Sequence, residues 1–412
     1  MPDTAAIEIR PPETLREFYG LMARTREVRA RMVEQYLAGA DIAPDDIRSL
    51  RNAGASLEAT PRSKTDDGYE IVLDGERRIT VDLTYEISEI VKDLVLLERG
   101  EDALYEHLAT LYPGFTSQVD KGVAALAPHA FRALVTDRDG TVNNYCGRYL
   151  TSIQSVYNAV FLTRFARACV PHAVMLTSAP LRDGGLVDIA TMPRGAFVYA
   201  GSKGREYLDQ GGTYGSYPID PAQQQMITRL NTALGELLAR PGHEKFGLIG
   251  SGLQKKFGQT TIARQDITHS VPEDESRTFL HEVEDLVAAL DPREQHFRIE
   301  DTGLDIEIIL TVGDRGGGLK DFDKGDAVVF LDEALDLGLA EGPALVCGDT
   351  SSDVPMVAAC AAKNAGSHAV FATVKQDVRD RVSRTTSRSL FVDTPDVLVV
   401  ILHELSKQGG NG

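Results

Sequence analysis

From residue 129 onward, the chain alternates short apolar segments with amphipathic ones. The apolar segments FRALVT and HAVMLTS come early, and PALVCGD, HAVFATV and SLFVDT come much later. Between the first two lies YLTSIQSVYNAVFLTRFARA, whose apolar residues recur at helical spacing. Strands that alternate with helices form a parallel sheet covered by helices on both faces. The pattern therefore predicts an α/β fold with a doubly wound, Rossmann-like parallel sheet.

Two regions of the chain lack this alternation of strands and helices. Residues 1–128 carry long helical patterns and one predicted hairpin, GYEIVLDGERRITVDL, with its turn at Asp74-Gly75. Residues 206–318 combine two long helical patterns with the short strand-like segments KFGLIG, TTIARQ, QHFRIED and LDIEIIL. We therefore predict an N-terminal α-rich domain and an α+β insertion between two parts of the core, 129–205 and 319–412. An inserted domain above a parallel sheet often acts as a lid.

The amino-acid composition argues against some classes of binding partner. With 42% hydrophobic residues, 25% charged residues and a formal net charge of -18, the chain has the composition of an acidic globular protein. Nucleic acids and anionic membranes attract basic surfaces, so neither is expected as a partner. No apolar run reaches the roughly 18 residues of a membrane span, and the first residues lack a signal-peptide pattern. The four cysteines show no metal-ligand spacing, and we predict a cytoplasmic protein.

Two acidic pairs follow predicted strands. Asp137 and Asp139 come directly after FRALV, and Asp349 and Asp353 follow PALV. Ligand sites in α/β sheets lie at the carboxyl ends of the strands, so the pairs can meet if their strands are neighbours. Burying like charges together is costly unless a cation or a reaction requires them. Clustered carboxylates suit Mg²⁺, and one of the first pair can serve as a nucleophile that forms an aspartyl phosphate.

A hydroxyl and an ammonium group lie at the ends of other predicted elements. Thr177 ends the strand AVML, where its hydroxyl can reach a phosphoryl oxygen; Ser178 could take the same role. Lys324 opens a predicted helix in FDKGDAVVFL, where Gly325 allows close approach. Its ammonium group could neutralise both Asp137 and a transferring phosphoryl group. The order of acid pair, hydroxyl, lysine and acid pair predicts phosphoryl-transfer chemistry.

The segments DRDGT, MLTS, DKGDAV and GDTSSDVPM resemble, in this order, the four motifs of the haloacid dehalogenase superfamily of phosphohydrolases. Three further segments, YAGSKGREY, LQKKFGQTTIARQD and LDIEIIL, resemble trehalose-6-phosphate phosphatases and related sugar phosphatases with a large inserted cap of the C2 type. The resemblance covers about 130–405. It implies Mg²⁺-dependent hydrolysis of a sugar phosphate through an aspartyl-phosphate intermediate, with trehalose 6-phosphate as the first candidate.

The resemblance also implies roles for individual residues. Asp137 would be the nucleophile, Asp139 the general acid/base, and Thr177 and Lys324 would hold the phosphoryl group. The candidate metal ligands are Asp137, the backbone carbonyl of Asp139, Asp349 and, as a supporting residue, Asp353. The candidate sugar-binding residues are Lys203, Lys256 and Glu307.

The sequence departs from the family pattern where that family contacts its substrate. Ala179 replaces an arginine of the second motif, and Lys203 replaces a histidine. The core chemistry is unaffected, but the substrate could be another glycosyl phosphate, such as glucosylglycerol phosphate or a glucosyl- or mannosyl-phosphoglycerate.

Two other functions remain open on the sequence. A sugar phosphomutase would return the phosphoryl group from the aspartate to a sugar, and a sugar-phosphate sensor would bind without turnover. The region 1–128 carries no catalytic pattern, so we predict an accessory domain or a homo-oligomerisation domain. The segment GDRGGGL lacks the Lys-Ser/Thr ending of a P-loop and is predicted to be a hinge between insertion and core.

Overall fold

The computed structural model describes residues 6–64, 67–75, 77–310 and 322–409, and the predicted glycine-rich hinge lies outside them. In the part of the N-terminal region that is described, four helices and an antiparallel hairpin are present, in agreement with the predicted α-rich domain and hairpin. Its elements are α1 (Leu15–Leu37), α2 (Pro44–Glu58), β1 (Tyr69–Asp74), β2 (Arg77–Val81), α3 (Thr84–Leu111) and α4 (Phe115–Leu126).

Helices α1 and α3 show how the sequence forms this region. α1 begins at a capping box, in which Thr14 Oγ1 accepts a hydrogen bond from the Glu17 backbone NH and the Glu17 carboxylate accepts one from the Thr14 backbone NH. Phe18 and Met22, one helical turn apart, are buried on the same face. α3 bends at Gly100, whose φ of 86° is a conformation that glycine adopts readily.

The rest of the chain forms a core and an inserted cap. The first part of the core contains β3 (Ala133–Thr136), α5 (Val156–Cys169), β4 (His172–Leu176), α6 (Leu186–Ile189), β5 (Val198–Gly201), β6 (Glu206–Leu208) and β7 (Tyr214–Ser216). The cap contains α7 (Pro221–Leu238), β8 (Leu253–Lys256), β9 (Gln259–Ala263), α8 (Glu273–Leu290), β10 (Phe297–Asp301) and β11 (Asp305–Leu310). The second part of the core contains α9 (Lys324–Leu335), β12 (Ala344–Gly348), α10 (Val354–Lys363), β13 (His368–Ala372), α11 (Gln376–Thr385), β14 (Ser389–Val392) and α12 (Pro395–Gly409).

The core is built on an eight-stranded sheet in the order β14-β13-β12-β3-β4-β5-β6-β7. The first six strands in this order are parallel, and β6 and β7 are antiparallel. Successive residues of β3 face opposite sides: Leu134 packs in the cluster that includes α5 and α12, and Ala133 and Val135 pack with α9, α10 and α11. The prediction of a doubly wound α/β fold with an inserted α+β cap is therefore confirmed.

The N-terminal helices share a hydrophobic core with the sheet instead of standing apart from it. Residues of α1, α3 and α4 belong to the same buried cluster as α5 and α12. A buried ion pair crosses this boundary, because Lys92 of α3 donates to Asp396 of α12 at 2.8 Å. Sequence patterns read one segment at a time do not show that two apolar faces pack against each other.

The N-terminal domain also contacts the cap. Arg16 of α1 pairs with Glu244 at 2.7 Å, and Arg77 of β2 pairs with Glu275 of α8 at 2.9 Å. Tyr19 of α1 donates a hydrogen bond to the backbone carbonyl of Leu248. These contacts join the cap to the N-terminal domain.

The cap differs in two places from the sequence-based expectations. KFGLIG, predicted as a strand, instead carries a 3₁₀ turn at Glu244–Gly247, because Phe246 stacks on Phe279 of α8 with ring centroids 3.7 Å apart. The expected boundary at residue 206 falls before β6 and β7, which hydrogen-bond to β5 and so extend the core sheet. These strands are short and only half-buried, and their sequences carry no clear alternation of apolar and polar residues.

The other composition-based predictions concern thiols and membrane spans. All four cysteines are free, with Cys347 and Cys360 buried and Cys146 and Cys169 partly exposed. Within the ranges that the structure describes, no helix combines the length and the apolar character needed to cross a membrane.

Candidate active site

The two acidic pairs meet because their strands are neighbours. β3 and β12 are parallel and adjacent, with Thr136 opposite Cys347, so Asp137 and Asp349 follow at the same edge of the sheet. The side chains of Asp137, Asp349 and Asp353 bring carboxylate oxygens within 4.8 Å of one another. The predicted convergence of these three residues is therefore present in the structure.

Lys324 joins this cluster from the first turn of α9. Its buried ammonium group donates to Asp137 Oδ1 and to Asp353 Oδ1, both at 2.6 Å. Gly325 lets α9 approach α10, since a Cβ atom at this position would lie 2.8 Å from the backbone carbonyl oxygen of Pro355. The lysine thus lies beside Asp137, where the sequence analysis expected it, and also contacts Asp353.

Asp353 has both carboxylate oxygens occupied by protein donors. Oδ1 accepts from Lys324, and Oδ2 accepts from the backbone NH groups of Asp349 and Thr350 at 3.1 and 3.0 Å. Burial acts to raise the pKa of Asp353, but the ammonium group of Lys324 and these backbone donors outweigh it and lower the pKa. The geometry therefore suits Asp353 to orienting the loop that carries Asp349.

Two carboxyl groups of the cluster bind protons unusually tightly. Burial raises the pKa of Asp137 to about 7, although Lys324 opposes this shift. Burial, followed by repulsion from Asp137 and Asp353, raises the pKa of Asp349 to about 8. Three carboxylates face a single ammonium group, so a further cation would relieve their repulsion. A cluster with only oxygen ligands fits Mg²⁺ better than zinc.

Thr141 and Gly140 complete the loop around the cluster, although the sequence analysis assigned them no role. Thr141 Oγ1 lies 3.2 Å from Asp137 Oδ2 and 3.3 Å from Asp349 Oδ1. Gly140 has a φ of +84°, and a Cβ atom there would lie 2.3 Å from Asp349 Oδ2. The signal in DRDGT was a glycine followed by a hydroxyl directly after the acid pair, a combination that permits a tight turn with a donor facing back.

Thr177 lies at the same edge on the other side of β3. β4 pairs with β3, with Met175 opposite Thr136, so Thr177 comes at the same edge of the sheet as Asp137, one position further along its strand. Its side chain is buried, and its Oγ1 accepts a hydrogen bond from the Ala179 backbone NH at 3.2 Å. That contact leaves the hydroxyl proton available for another acceptor.

The side chain of Asp139 lines a cavity between core and cap. This cavity, the cleft, has a volume of about 200 Å³. Asp139 and Tyr149 line it on the core side, and Gln254 of β8 and Asp305 of β11 line it on the cap side. The acid/base candidate therefore faces the space between core and cap.

Two of the three predicted sugar-binding residues, Lys256 and Glu307, lie on strands of the cap sheet, and Lys203 lies in the core, directly after β5. Lys256 donates to Thr261 at 2.9 Å, and Glu307 accepts from Gln259 at 3.0 Å. Burial lowers the pKa of Lys256 to about 8, with Glu307 opposing the shift and Lys203 of the core adding to it.

None of these three residues lines the cleft directly. The cleft-lining Gln254 precedes Lys256 by two positions on β8, and Asp305 precedes Glu307 by two positions on β11. Residues two apart on a strand share a face, so Lys256 and Glu307 extend the cap wall of the cleft.

Two family models match the chain. A model described as the C-terminal part of trehalose-6-phosphate phosphatase matches residues 134–398. A model of the N-terminal helical bundle domain of trehalose-6-phosphate phosphatase matches residues 14–113. The first match alone spans more than half of the 412 residues.

Curated relatives match nearly the whole chain. An alpha,alpha-trehalose-phosphate synthase (UDP-forming) of Caenorhabditis elegans is 32% identical over 415 residues, which is 95% of this chain and 33% of that protein. A trehalose-phosphatase of Brugia malayi is 28% identical over 430 residues, which is 95% of this chain and 86% of that protein. The chain thus spans about a third of the length of the synthase that it matches.

Solved structures are more distant. The C-terminal domain of C. albicans trehalose-6-phosphate phosphatase is 13% identical, with a TM-score of 0.43, covering 70% of this chain and 96% of that domain. This structural similarity is weak, and membership of the family follows from the two family models. The chain belongs to the trehalose-6-phosphate phosphatase family of the haloacid dehalogenase superfamily.

Proposed function

We propose that the chain is a Mg²⁺-dependent phosphatase that hydrolyses a sugar phosphate, with trehalose 6-phosphate as the first candidate, through a phosphoryl group carried on Asp137. The observation that carries this proposal is the cluster of Asp137, Asp349 and Asp353 around Lys324 at the ends of adjacent strands. Family membership and the similarity to the trehalose-phosphatase of Brugia malayi support the choice of substrate.

Hydrolysis of the phosphate ester requires a nucleophile that attacks phosphorus and a proton donor close to the sugar oxygen that departs. A carboxylate oxygen of Asp137 attacks phosphorus, and the bond from phosphorus to the sugar oxygen breaks. Asp139, facing the cleft, gives its proton to the departing sugar oxygen. Asp139 then accepts a proton from water as that water attacks the phosphoryl group, which releases inorganic phosphate and restores the Asp137 carboxylate.

The remaining residues bind and orient the phosphoryl group. Lys324 and the Thr177 hydroxyl would hold its oxygens beside Asp137. Asp137 and Asp349 would hold Mg²⁺, oriented by Asp353, and the bound ion would supply charge neutralisation for the carboxylates and the phosphoryl group.

Lys203, Lys256 and Glu307 would bind the sugar. A sugar presents many hydroxyl groups, and ammonium and carboxylate groups bind such hydroxyls through charge-assisted hydrogen bonds. Lys256 and Glu307 extend the cap wall of the cleft, so cap closure would bring their contacts to the substrate while excluding water.

A panel of phosphate esters tests the proposed function. The panel contains trehalose 6-phosphate, sucrose 6-phosphate, glucosylglycerol phosphate and the glucosyl- and mannosyl-phosphoglycerates, each assayed with and without Mg²⁺. We expect inorganic phosphate to be released from trehalose 6-phosphate only when Mg²⁺ is present. If inorganic phosphate were released only from another ester, that ester would be the substrate. If the product were an isomeric phosphate ester, the reaction would be that of a mutase and not hydrolysis.

The raised pKa values of Asp137 and Asp349 predict that protons compete with Mg²⁺. With pKa values of about 7 and about 8, these carboxyl groups are increasingly protonated as the pH falls from 8 to 6, and the protonated form cannot bind a cation. We expect the Mg²⁺ affinity to fall by about tenfold or more over this range. Calorimetric titration at pH 6, 7 and 8 measures it; an affinity independent of pH would contradict the assignment of these ligands.

Gly140→Ala is predicted to damage the same cluster. The new Cβ atom would collide with Asp349 Oδ2, 2.3 Å away, and the backbone would be strained at a φ of +84°. We expect a loss of about 1–3 kcal/mol in the free energy of unfolding and weaker Mg²⁺ binding. Gly39→Ala is the control, because Gly39 has a similar positive φ of +66° with nothing within 4 Å of its Cβ position. Equal Mg²⁺ affinities in the two variants would refute the predicted collision.

A further inference from the structure

Arg138 stands between the two aspartates of the first acidic pair, and its side chain is only 1% exposed. A buried guanidinium group is costly unless acceptors surround it. Its partners are the carboxylate of Asp139, Ser152 Oγ at 3.0 Å and the backbone carbonyl of Ser152. Each of these acceptors belongs either to the acid/base candidate or to the residue beside it.

Ser152 holds the same carboxylate oxygen. Its Oγ donates to Asp139 Oδ1 at 3.0 Å, and the Arg138 guanidinium contacts that same oxygen. Across the described ranges, no hydrogen bond to Asp139 Oδ2 is present, so one oxygen is fixed and the other is left for the cleft. We call Arg138 and Ser152 the Asp139 clamp.

The clamp is anchored to the N-terminal domain. Asn143 donates from Nδ2 to Ser152 Oγ at 3.2 Å, and its backbone carbonyl accepts from the Gly140 NH at 2.7 Å. Tyr85, in the first turn of α3, is hydrogen-bonded to the Asn143 side chain at 3.0 Å and donates to the Ile153 backbone carbonyl at 3.1 Å. A continuous chain of hydrogen bonds therefore runs from the N-terminal domain to Asp139.

We propose that Arg138 and Ser152 are positioning residues that fix the Asp139 carboxylate toward the leaving-group oxygen, and that Tyr85 makes the N-terminal domain part of this arrangement. The inference rests on the proposed function, since it gives Asp139 the task of protonating the sugar oxygen. A proton donor has to lie within hydrogen-bond reach of that oxygen, and a displacement of about 1 Å can cost about a hundredfold in rate.

The leaving group distinguishes positioning from a general structural role. A sugar alkoxide needs a proton as it departs, whereas p-nitrophenolate departs without one. We therefore compare kcat/KM, which reports the steps through departure of the leaving group, for trehalose 6-phosphate and p-nitrophenyl phosphate. For Arg138→Met we expect a loss of about a hundredfold with the sugar phosphate and at most about threefold with the aryl phosphate.

Matched variants separate this effect from instability. Arg29→Met removes another buried arginine, paired with Asp93 at 2.7 Å in the N-terminal domain, and should leave the ratio of the two kcat/KM values unchanged. Ser152→Ala and Tyr85→Phe should shift the ratio in the same direction as Arg138→Met by smaller factors. Ser152→Ala carries the test if Arg138→Met does not fold. In an Asp139→Asn background, Arg138→Met should produce no further change in the ratio.

Each outcome decides one question. The positioning role would be overturned if Arg138→Met and Ser152→Ala lowered kcat/KM equally for both substrates. It would also be overturned if Arg138→Met changed the ratio of the two kcat/KM values in the Asp139→Asn background as much as it does in the wild-type protein. A wild-type ratio in Tyr85→Phe would remove the N-terminal domain from the arrangement. If the wild-type protein hydrolyses neither ester with Mg²⁺ present, the proposed function itself fails and the inference falls with it.

Discussion

Asp137→Asn is expected to reduce phosphate release by at least about 10⁴-fold, because the amide cannot form the bond to phosphorus. The fold should be kept. The amide has nearly the same volume as the carboxylic acid, and Lys324 retains Asp353 as a partner at 2.6 Å. We expect the free energy of unfolding to change by less than about 1 kcal/mol. Phosphate release and thermal unfolding of the same preparations measure both quantities.

The control for this substitution is Asp120→Asn, at an exposed aspartate on α4 that is not part of the cluster. It should retain full activity and stability. If Asp137→Asn kept more than about one hundredth of the wild-type rate, another residue would have to be the nucleophile.

Lys324→Met is expected to impair both activity and stability. The substitution leaves Asp137 and Asp353 buried without their ammonium partner, and breaking a buried ion pair on one side costs about 3–5 kcal/mol. In the proposed mechanism it also removes one charge that stabilises the transferring phosphoryl group, for which we expect a loss of about 10²–10³ in kcat.

The loss of stability should depend on pH. In the wild-type protein Lys324 lowers the pKa of Asp353, a contribution to stability that is present above the unfolded-state pKa of about 4 and is lost as the pH falls through the lower folded-state value. Without Lys324 that pKa rises. The difference in unfolding free energy between wild type and Lys324→Met should therefore be larger at pH 8 than at pH 5, as urea titrations can measure.

Lys92→Met is the matched control, since Lys92 is also buried between two carboxylates, those of Glu89 at 2.7 Å and Asp396 at 2.8 Å. It should lose comparable stability but keep kcat/KM near the wild-type value at temperatures where it is folded. Equal activity losses in both variants would mean that Lys324 acts only through stability.

The cluster around Asp137 could be predicted because its geometry follows from strand order. An aspartate directly after a buried strand has to lie at the carboxyl edge of the sheet, and two such strands side by side bring Asp137 and Asp349 together. The ordered motifs with Lys324 then restricted the chemistry. The cap could be recognised as an insertion by its change of pattern, since helices and short strands replaced the βα alternation.

The surroundings of Asp139 could not be predicted in the same way. The partners of Arg138 and the link from Tyr85 through Asn143 depend on which helices cover the sheet. A local pattern carries no such information, because side-chain contacts between distant segments arise only from tertiary packing. A charged residue between two aspartates at the end of a buried strand was still a usable signal, since a buried arginine requires acidic or carbonyl partners.

Rapid-quench detection of the phosphorylated enzyme tests the central claim most directly. Wild-type protein is mixed with trehalose 6-phosphate labelled with ³²P, in the presence of Mg²⁺, and quenched in acid within milliseconds. The account predicts a transient, hydroxylamine-sensitive label on the peptide that contains Asp137, absent in Asp137→Asn and formed no more slowly than phosphate is released. Rapid phosphate release without any labelled protein, or label on a different residue, would contradict it.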